Sequence, residues 1–257
     1  MFIDFSIIVP TLNSAKYLQQ TLNSIKQQDK KLNIECIFSD GGSSDNTIQI
    51  IKDFNEINIS KIILYEQIGL SKALNSGFKV ANGNYLTFLN SDDLLAPDAL
   101  HKVKYNFEKS EHSKWSVGLC ENFGKKNLIN KIVNFYKSKS LNILDFKLLC
   151  INNIISQPSV YWKNSFFQKV GSFDEQLKYN MDYDMWLRMI SISKPLRIYS
   201  TLSYFRRHNS SLSHKNLLKQ FFEKYETMKK YNKNIIFIFL HIIISSIVIL
   251  IYKISNY

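Results

Sequence analysis

Only three cysteines, Cys36, Cys120 and Cys150, occur in 257 residues, an odd and widely spaced set. That excludes a disulfide framework and implies reduced, mostly buried thiols in a cytoplasmic compartment. No zinc-ligand spacing is present, and neither an internal repeat nor a low-complexity linker interrupts the chain. Met1 to Pro10 runs straight into an apolar strand, so no secretory leader is expected. Acids are also in short supply: 33 Lys and Arg against 21 Asp and Glu give a net charge of +12. Such an excess suits nucleic acid or anionic lipid. Its position decides between them, because Tyr204 to Lys233 holds eight Lys or Arg against two Glu directly before an apolar tail. No basic, aromatic-interleaved motif of the RNA-binding kind occurs elsewhere, so the expected partner is a membrane surface and no nucleic acid is expected.

From Ile235 to Tyr252 the tail is apolar except for His241, Ser245 and Ser246, with Lys233 and Lys253 outside its two ends. A helix of that length reaches about 27 Å, just short of a hydrocarbon core. A spanning helix is marginal. An interfacial or re-entrant helix and a buried dimerisation helix are the alternatives, and membrane attachment in some form is the expectation. What precedes the tail is long enough for one core of about 200 residues.

The amino-terminal half repeats one grammar of apolar run, polar loop and helix. Ser6 to Pro10 is a β-branched run followed by Thr11, Leu12 and Asn13, then by Tyr17, Leu18, Leu22 and Ile25 at helical spacing. Ile34 to Phe38 leads into Ser39 to Thr47, whose glycines allow close backbone approach and whose Ser44 or Asp45 can cap a helix carrying Ile48, Ile51 and Phe54. Ile62 to Tyr65 is a third strand. Gly69 to Gly83 is a helix with Leu70, Ala73, Leu74, Gly77 and Ala81 inward. Alternation of this kind predicts an α/β fold with a mostly parallel central sheet flanked by helices.

Tyr85 to Leu89 then delivers Asn90, Ser91, Asp92 and Asp93 to the end of a fourth strand, where an open α/β sheet binds its ligand. Adjacent carboxylates are hard oxygen ligands, suited to Mg²⁺ or Mn²⁺ on a diphosphate. The plainer alternative is a solvated turn in which Asp93 caps the helix near Pro97.

Together these segments resemble glycosyltransferase family 2, through Ser6 to Asn13, Ser39 to Thr47, Gly69 to Gly83 with Ala73, Asn75 and Gly77, and Asn90 to Asp93 with Pro97 after it. The likeness continues through Gln157 to Trp162, Val170 to Glu175 and Met181 to Arg188, covering roughly residues 5 to 210. It implies a GT-A type nucleotide-binding fold, a nucleotide-sugar donor and a divalent metal. By position, Thr11 and Asn13 would lie by the nucleotide and Asp40 would accept a hydrogen bond from the base. Asp92 and Asp93, with Ser91 beside them, would hold metal and diphosphate, and Asp182 would be the general base. Two departures stand out: Gln67 and Lys72 replace acids of many relatives, and Met181 precedes Asp182 where many have Glu. The Arg206, Arg207, His208 segment, continuing to His214, is similar to one that closes over the donor. His208 is therefore a candidate diphosphate contact, although a solvated loop is the competing reading.

Structural roles compete elsewhere too. Asp182 can cap a helix from Tyr183 to Ile192, and Asp184 is expected to pair with Arg188 four residues on. Trp162 and Trp186 can stack on a sugar but are expected in the core. Residues 1–110 are expected to form the nucleotide-sugar-binding half, 111–215 the acceptor half with the base, and 216–257 a basic linker with a C-terminal apolar helix. Lys114 to Cys120 is a possible strand, whereas Asn127 to Leu149 has no sharp period and names no acceptor. The expected activity is metal-assisted, inverting transfer from a UDP-linked donor to a hydroxyl of a surface polysaccharide or lipid-linked oligosaccharide, at the cytoplasmic face of a bacterial inner membrane. Transfer to polyprenyl phosphate and a non-catalytic nucleotide-sugar-binding scaffold remain alternatives.

Overall fold

The computed structural model describes residues 2–66, 68–124, 128–208 and 216–255. Gln67 and the segment from Asn209 to His214, singled out above, lie outside them. Strands β1 (Phe5–Thr11), β2 (Ile34–Asp40), β3 (Ile59–Leu64) and β4 (Tyr85–Phe88) alternate with helices α1 (Ala15–Lys26), α2 (Thr47–Asp53) and α3 (Leu70–Lys79). The pairs β1–β2, β2–β3 and β1–β4 are all parallel. This is the expected grammar, and it arises because every connecting helix buries one apolar stripe on the sheet: Leu18, Leu22 and Ile25 from α1, Ala73, Leu74 and Phe78 from α3. Gly77 has a steric reason to be glycine, since a Cβ there would stand 2.6 Å from Ile8.

Beyond β4 the chain adds β5 (Leu94–Leu95), α4 (Ala99–Lys109), β6 (Trp115–Gly124), α5 (Leu128–Leu141), α6 (Phe146–Ile151), β7 (Val160–Lys163), α7 (Asn164–Val170), α8 (Met181–Ile192) and β8 (Leu196–Arg207). All eight strands form one sheet in the order β3-β2-β1-β4-β7-β6-β8-β5. The sheet is thus parallel in its first half and mixed in its second. Strand β7 enters antiparallel between β4 and β6, β8 returns parallel to β6, and β5 lies antiparallel on β8. One sheet therefore crosses the boundary expected at residue 110.

Each face of the sheet carries an apolar layer. Successive β1 residues alternate between them, with Ile8 packed among Leu74, Phe88 and Trp162 on one face and Phe5, Ile7 and Val9 among Leu22 and Phe38 on the other. Trp162 and Trp186 are fully buried with ring centroids 5.8 Å apart, so both belong to the core and neither is open to a sugar. The three cysteines are buried and free.

The carboxyl-terminal helices are α9 (Leu217–Tyr231) and α10 (Ile235–Ser255). Helix α10 packs against α6 and α9 with an inverted pattern. His241 and Ser245 face inward, and His241 Nδ1 lies 2.8 Å from the carbonyl of Cys150. Ile236, Phe239, Ile243, Ile247 and Leu250 point outward, and Leu218 and Phe222 of α9 are exposed as well. Among the described residues no helix is long and apolar enough to cross a membrane.

Candidate active site

The sheet order reverses around β1, which has β2 on one flank and β4 on the other, and the carboxyl ends of strands at such a reversal are where an open α/β sheet takes its ligand. Thr11 and Asp40 end β1 and β2 side by side. Asp40 organises its own loop. Its Oδ1 accepts from the backbone N–H of Gly42 at 3.0 Å and of Ser43 at 2.7 Å, and its Oδ2 accepts from the hydroxyls of Thr11 at 2.8 Å and Ser43 at 2.6 Å. All four lone-pair positions of the carboxylate are thereby used.

Asn13 adopts a left-handed backbone, φ 49°, and its Oδ1 accepts from the backbone N–H of Ser44 at 2.9 Å. Asn tolerates that conformation better than most residues. The next loop is tied in through Ser14, whose hydroxyl lies 2.7 Å from that of Ser91. Thr47 begins α2 within reach of Asp45, whose Oδ1 accepts from its backbone N–H at 3.0 Å, while Asn46 occupies the cap position.

At the end of β4 the two adjacent acids have opposite surroundings. Asp92 is part-exposed, and its Oδ2 lies 2.7 Å from His208 Nε2. Asp93 has no exposure. Its Oδ1 accepts from the backbone N–H of Arg206 at 2.9 Å and its Oδ2 from the Asn90 amide at 3.3 Å. Burial, then the neighbouring Asp92 charge, pushes the Asp93 carboxyl well above the ordinary range. The geometry therefore separates the expected pair of metal ligands: Asp92 stays part-exposed, and Asp93 pins β8 from inside. The cause is a turn in which the Asp93 N–H donates to the Asn90 carbonyl and the Thr21 hydroxyl reaches the carbonyls of Ser91 and Asp93. Nor does Asp93 cap the following helix, which starts after Asp98.

Arg206 also turns inward. Its Nε donates to the Asp92 carbonyl at 2.8 Å, and its guanidinium lies over the rings of Tyr17 and Phe123 at 4.5 and 4.4 Å. The Tyr17 ring also meets that of His208 at 5.0 Å. Behind them Gln157 donates to the Phe88 carbonyl at 2.6 Å and accepts from Asn90 at 3.2 Å. Tyr17 was read above as a helix-face apolar residue, and only the return of β8 shows its second contact.

Asp182 occupies the first turn of α8, with Asn180 rather than Asp182 at the cap. Its Oδ1 accepts from the Tyr183 backbone N–H at 2.7 Å, and its Oδ2 has no hydrogen-bond partner among the described residues. Burial pushes the carboxyl up to about 6, against the opposing pull of that N–H and of Lys137 and Lys224. Asp184, by contrast, is structural: it accepts from Arg188 Nε at 2.9 Å and from the Tyr231 hydroxyl at 2.6 Å. Met181 is buried in the core, and Lys72 is exposed. Beside this region a cavity of about 360 Å³ lies between α5 and β6, lined in part by Leu119, Asn134, Lys137, Ile155 and Ser156. Lys137 and Lys224 carry no motif that would have revealed them in the sequence.

A mixed sheet flanked by helices, parallel in its amino-terminal half and with a part-exposed acid at the end of β4, is the architecture of a GT-A type glycosyltransferase. The chain belongs to that class through the Glycosyl transferase family 2 model, which matches residues 6–164. An uncharacterised glycosyltransferase of Rickettsia typhi is 30% identical over 231 residues, 87% of this chain and 69% of the relative. The minor teichoic acid biosynthesis protein GgaA of Bacillus subtilis is 31% identical over 212 residues, 79% of this chain but 47% of its own length. Among solved structures, S. aureus TarS in complex with UDP-GlcNAc aligns with TM-score 0.72 at 18% identity, over 90% of this chain and 68% of that one. Full-length curated relatives thus extend beyond the region shared with this chain.

Proposed function

We propose that this glycosyltransferase moves a sugar from a UDP-linked donor to a hydroxyl of a surface polysaccharide or lipid-linked oligosaccharide, inverting the anomeric centre by direct displacement. The observation that carries the reading is two unlike carboxylates: Asp92 at the end of β4, paired with His208, and Asp182 in the first turn of α8, raised to about 6 with one oxygen free of hydrogen bonds among the described residues. The first suits a cation that would bridge to the leaving diphosphate, and the second a proton. The UDP and UDP-GlcNAc complexes of S. aureus TarS support the donor class. GgaA, and a mycobacterial PGL/p-HBAD biosynthesis glycosyltransferase 30% identical over 190 residues, support surface glycans as the product class.

The residues fit a divalent cation in a limited way. A carboxylate oxygen suits Mn²⁺ or Mg²⁺, an imidazole nitrogen beside it favours Mn²⁺ of the two, and a mannosyltransferase of Pyrobaculum calidifontis with the same fold was solved with GDP-Man and Mn²⁺. Among the described residues no group of three or more His, Cys, Asp or Glu side chains converges, so Asp92 and His208 would share such an ion with the donor diphosphate. When bound, a divalent cation neutralises charge that grows on the leaving diphosphate. Thr11, Asn13 and the Asp40 loop would receive the nucleoside, with the Ser43 hydroxyl giving up Asp40 Oδ2 to a base N–H. Asp182 would take the acceptor proton at Oδ2 as the glycosidic bond forms. Asp93 and Arg206 would position Asp92.

For location, the outward apolar row of α10, the exposed Leu218 and Phe222, and the lysines around them support an interfacial helix at the cytoplasmic face of the membrane. Purified full-length protein with a panel of nucleotide sugars tests the activity, reading nucleotide release with Mn²⁺ or EDTA and with or without membrane lipid extract. Metal-dependent UDP release stimulated by the extract is expected. No release from any donor under these conditions would leave a nucleotide-sugar-binding scaffold instead.

A further inference from the structure

Lys137 of α5 and Lys224 of α9 come from distant parts of the chain and converge on the short segment from Asn152 to Ser156. Lys224 Nζ donates to Asn152 Oδ1 at 3.0 Å, and Lys137 Nζ donates to Ser156 Oγ at 2.8 Å. Both partners are neutral, and among the described residues neither lysine has a carboxylate within ion-pair distance. Lysine ammoniums in partly buried places normally acquire an anionic partner, because desolvation otherwise opposes the charge. Here desolvation, opposed by Asp182 and reinforced by Lys137, lowers Lys224 to about 8, so it is still mostly charged at neutral pH. Two cations and the carboxylate of Asp182 leave the cluster with one positive charge in excess. Lys137 and Ser156 also line the cavity of about 360 Å³ between α5 and β6, so the cluster has space beside it.

We propose that Lys137 and Lys224 form an anion subsite for a phosphate carried by the acceptor, so that the reactive hydroxyl lies a few bonds from a phosphomonoester or phosphodiester. The inference rests on Asp182 being the base that receives the acceptor. Ser156 and Asn152 hold the two ammonium groups at fixed positions without neutralising them, which is what a site for an incoming anion requires. A phosphodiester brings a single negative charge and balances the cluster. Donor phosphates belong instead at the Asp92 edge.

The test uses full-length protein saturated with UDP, so that the donor site is blocked, and titrates inorganic phosphate, glycerol 1-phosphate and glycerol by calorimetry. Glycerol 1-phosphate should bind at least tenfold more tightly than glycerol. Lys137→Met should weaken that binding about tenfold while UDP, titrated separately, still binds. Because Lys224→Met risks misfolding, Lys224→Arg accompanies it and should retain phosphate binding. Equal affinity for glycerol and its phosphate, or phosphate binding unaffected by Lys137→Met, would overturn the subsite. Phosphate binding only in the absence of UDP would assign the anion to the donor edge and also refute it. Failure of UDP itself to bind would count against the proposed UDP-linked donor instead. In turnover assays a phosphorylated polyol and polyprenyl phosphate separate the two acceptor sources: the first needs Asp182 and the second, already ionised, does not.

Discussion

The loops after β1, β2 and β4 and the charged cluster of α5, α8 and α9 are built by different physics. On the side of β1, β2 and β4, polar groups satisfy one another: Asp40 uses both oxygens on its own loop, Ser14 meets Ser91, and Asp93 is buried in hydrogen bonds. On the side of α5, α8 and α9, charged groups are held part-desolvated with neutral partners or none, as in Asp182, Lys137 and Lys224. The first arrangement gives a preformed cradle whose members support one another. The second stores electrostatic potential that the proposed acceptor would use, and it costs stability in its absence.

Removing the base tests this contrast most severely. Asp182→Asn should cut sugar transfer by about a thousandfold while nucleotide affinity stays near normal, because the amide keeps the shape but cannot accept the proton. Rate and calorimetry measured together decide it; loss of UDP binding would move Asp182 into the donor side. In the native enzyme, activity governed by this group should fall as pH drops through about 6. The same variant sharpens the comparison through stability. A carboxyl whose folded pKa is raised contributes stability at low pH that is lost as pH rises from about 4 towards 6. Asp182→Asn should therefore stabilise the fold at pH 7.5, by at most about 3 kcal/mol, and leave its stability unchanged at pH 3.5. A variant destabilised equally at both values would mean that Asp182 is a fold element.

Next in size, Asp92→Asn should lower turnover by about a hundredfold and abolish its metal dependence. Near-normal, EDTA-resistant activity would break the assignment. On the cradle side, Asp40→Ala should raise the donor KM about tenfold and cost 1–3 kcal/mol in urea unfolding, roughly what the abandoned donors of Thr11, Gly42 and Ser43 imply. An effect on KM without loss of stability would make this loop less self-supporting than described. The smallest effect on chemistry is expected at the tail: Phe239→Ser with Ile243→Ser should shift the protein from the membrane to the soluble fraction while nucleotide binding persists. Fractionation unchanged by both substitutions would refute the interfacial helix.

Much of the cradle was legible in the sequence, because its strands are continuous apolar runs and its polar residues follow each run directly. Positions such as Thr11, Asp40 and Asp92 inherit their place from local order. What was not legible depends on the late return of the chain. Asp93 looked equivalent to Asp92 until Arg206 of β8 arrived to bury it, and no local pattern distinguishes two adjacent aspartates. The antiparallel entry of β7 and the parallel return of β8 are likewise pairings between distant segments. Asn127 to Leu149 lacked a clear period yet holds α5 and α6, and Lys137 gains meaning only through Ser156 and α8.

Helix α9 turns Lys224, Thr227 and Met228 toward the protein and other side chains out. Lys224 reaches Asn152, while Leu218 and Phe222 of the same helix are exposed, as is the apolar row of α10. A lipid surface covering that row would lie about one helix diameter, ~10 Å, from the ammonium group. The helix would then act as a ruler. Its thickness would favour acceptors whose reactive hydroxyl stands one or two sugar units from a lipid anchor, and a growing chain would be handed on once its end had outgrown that reach.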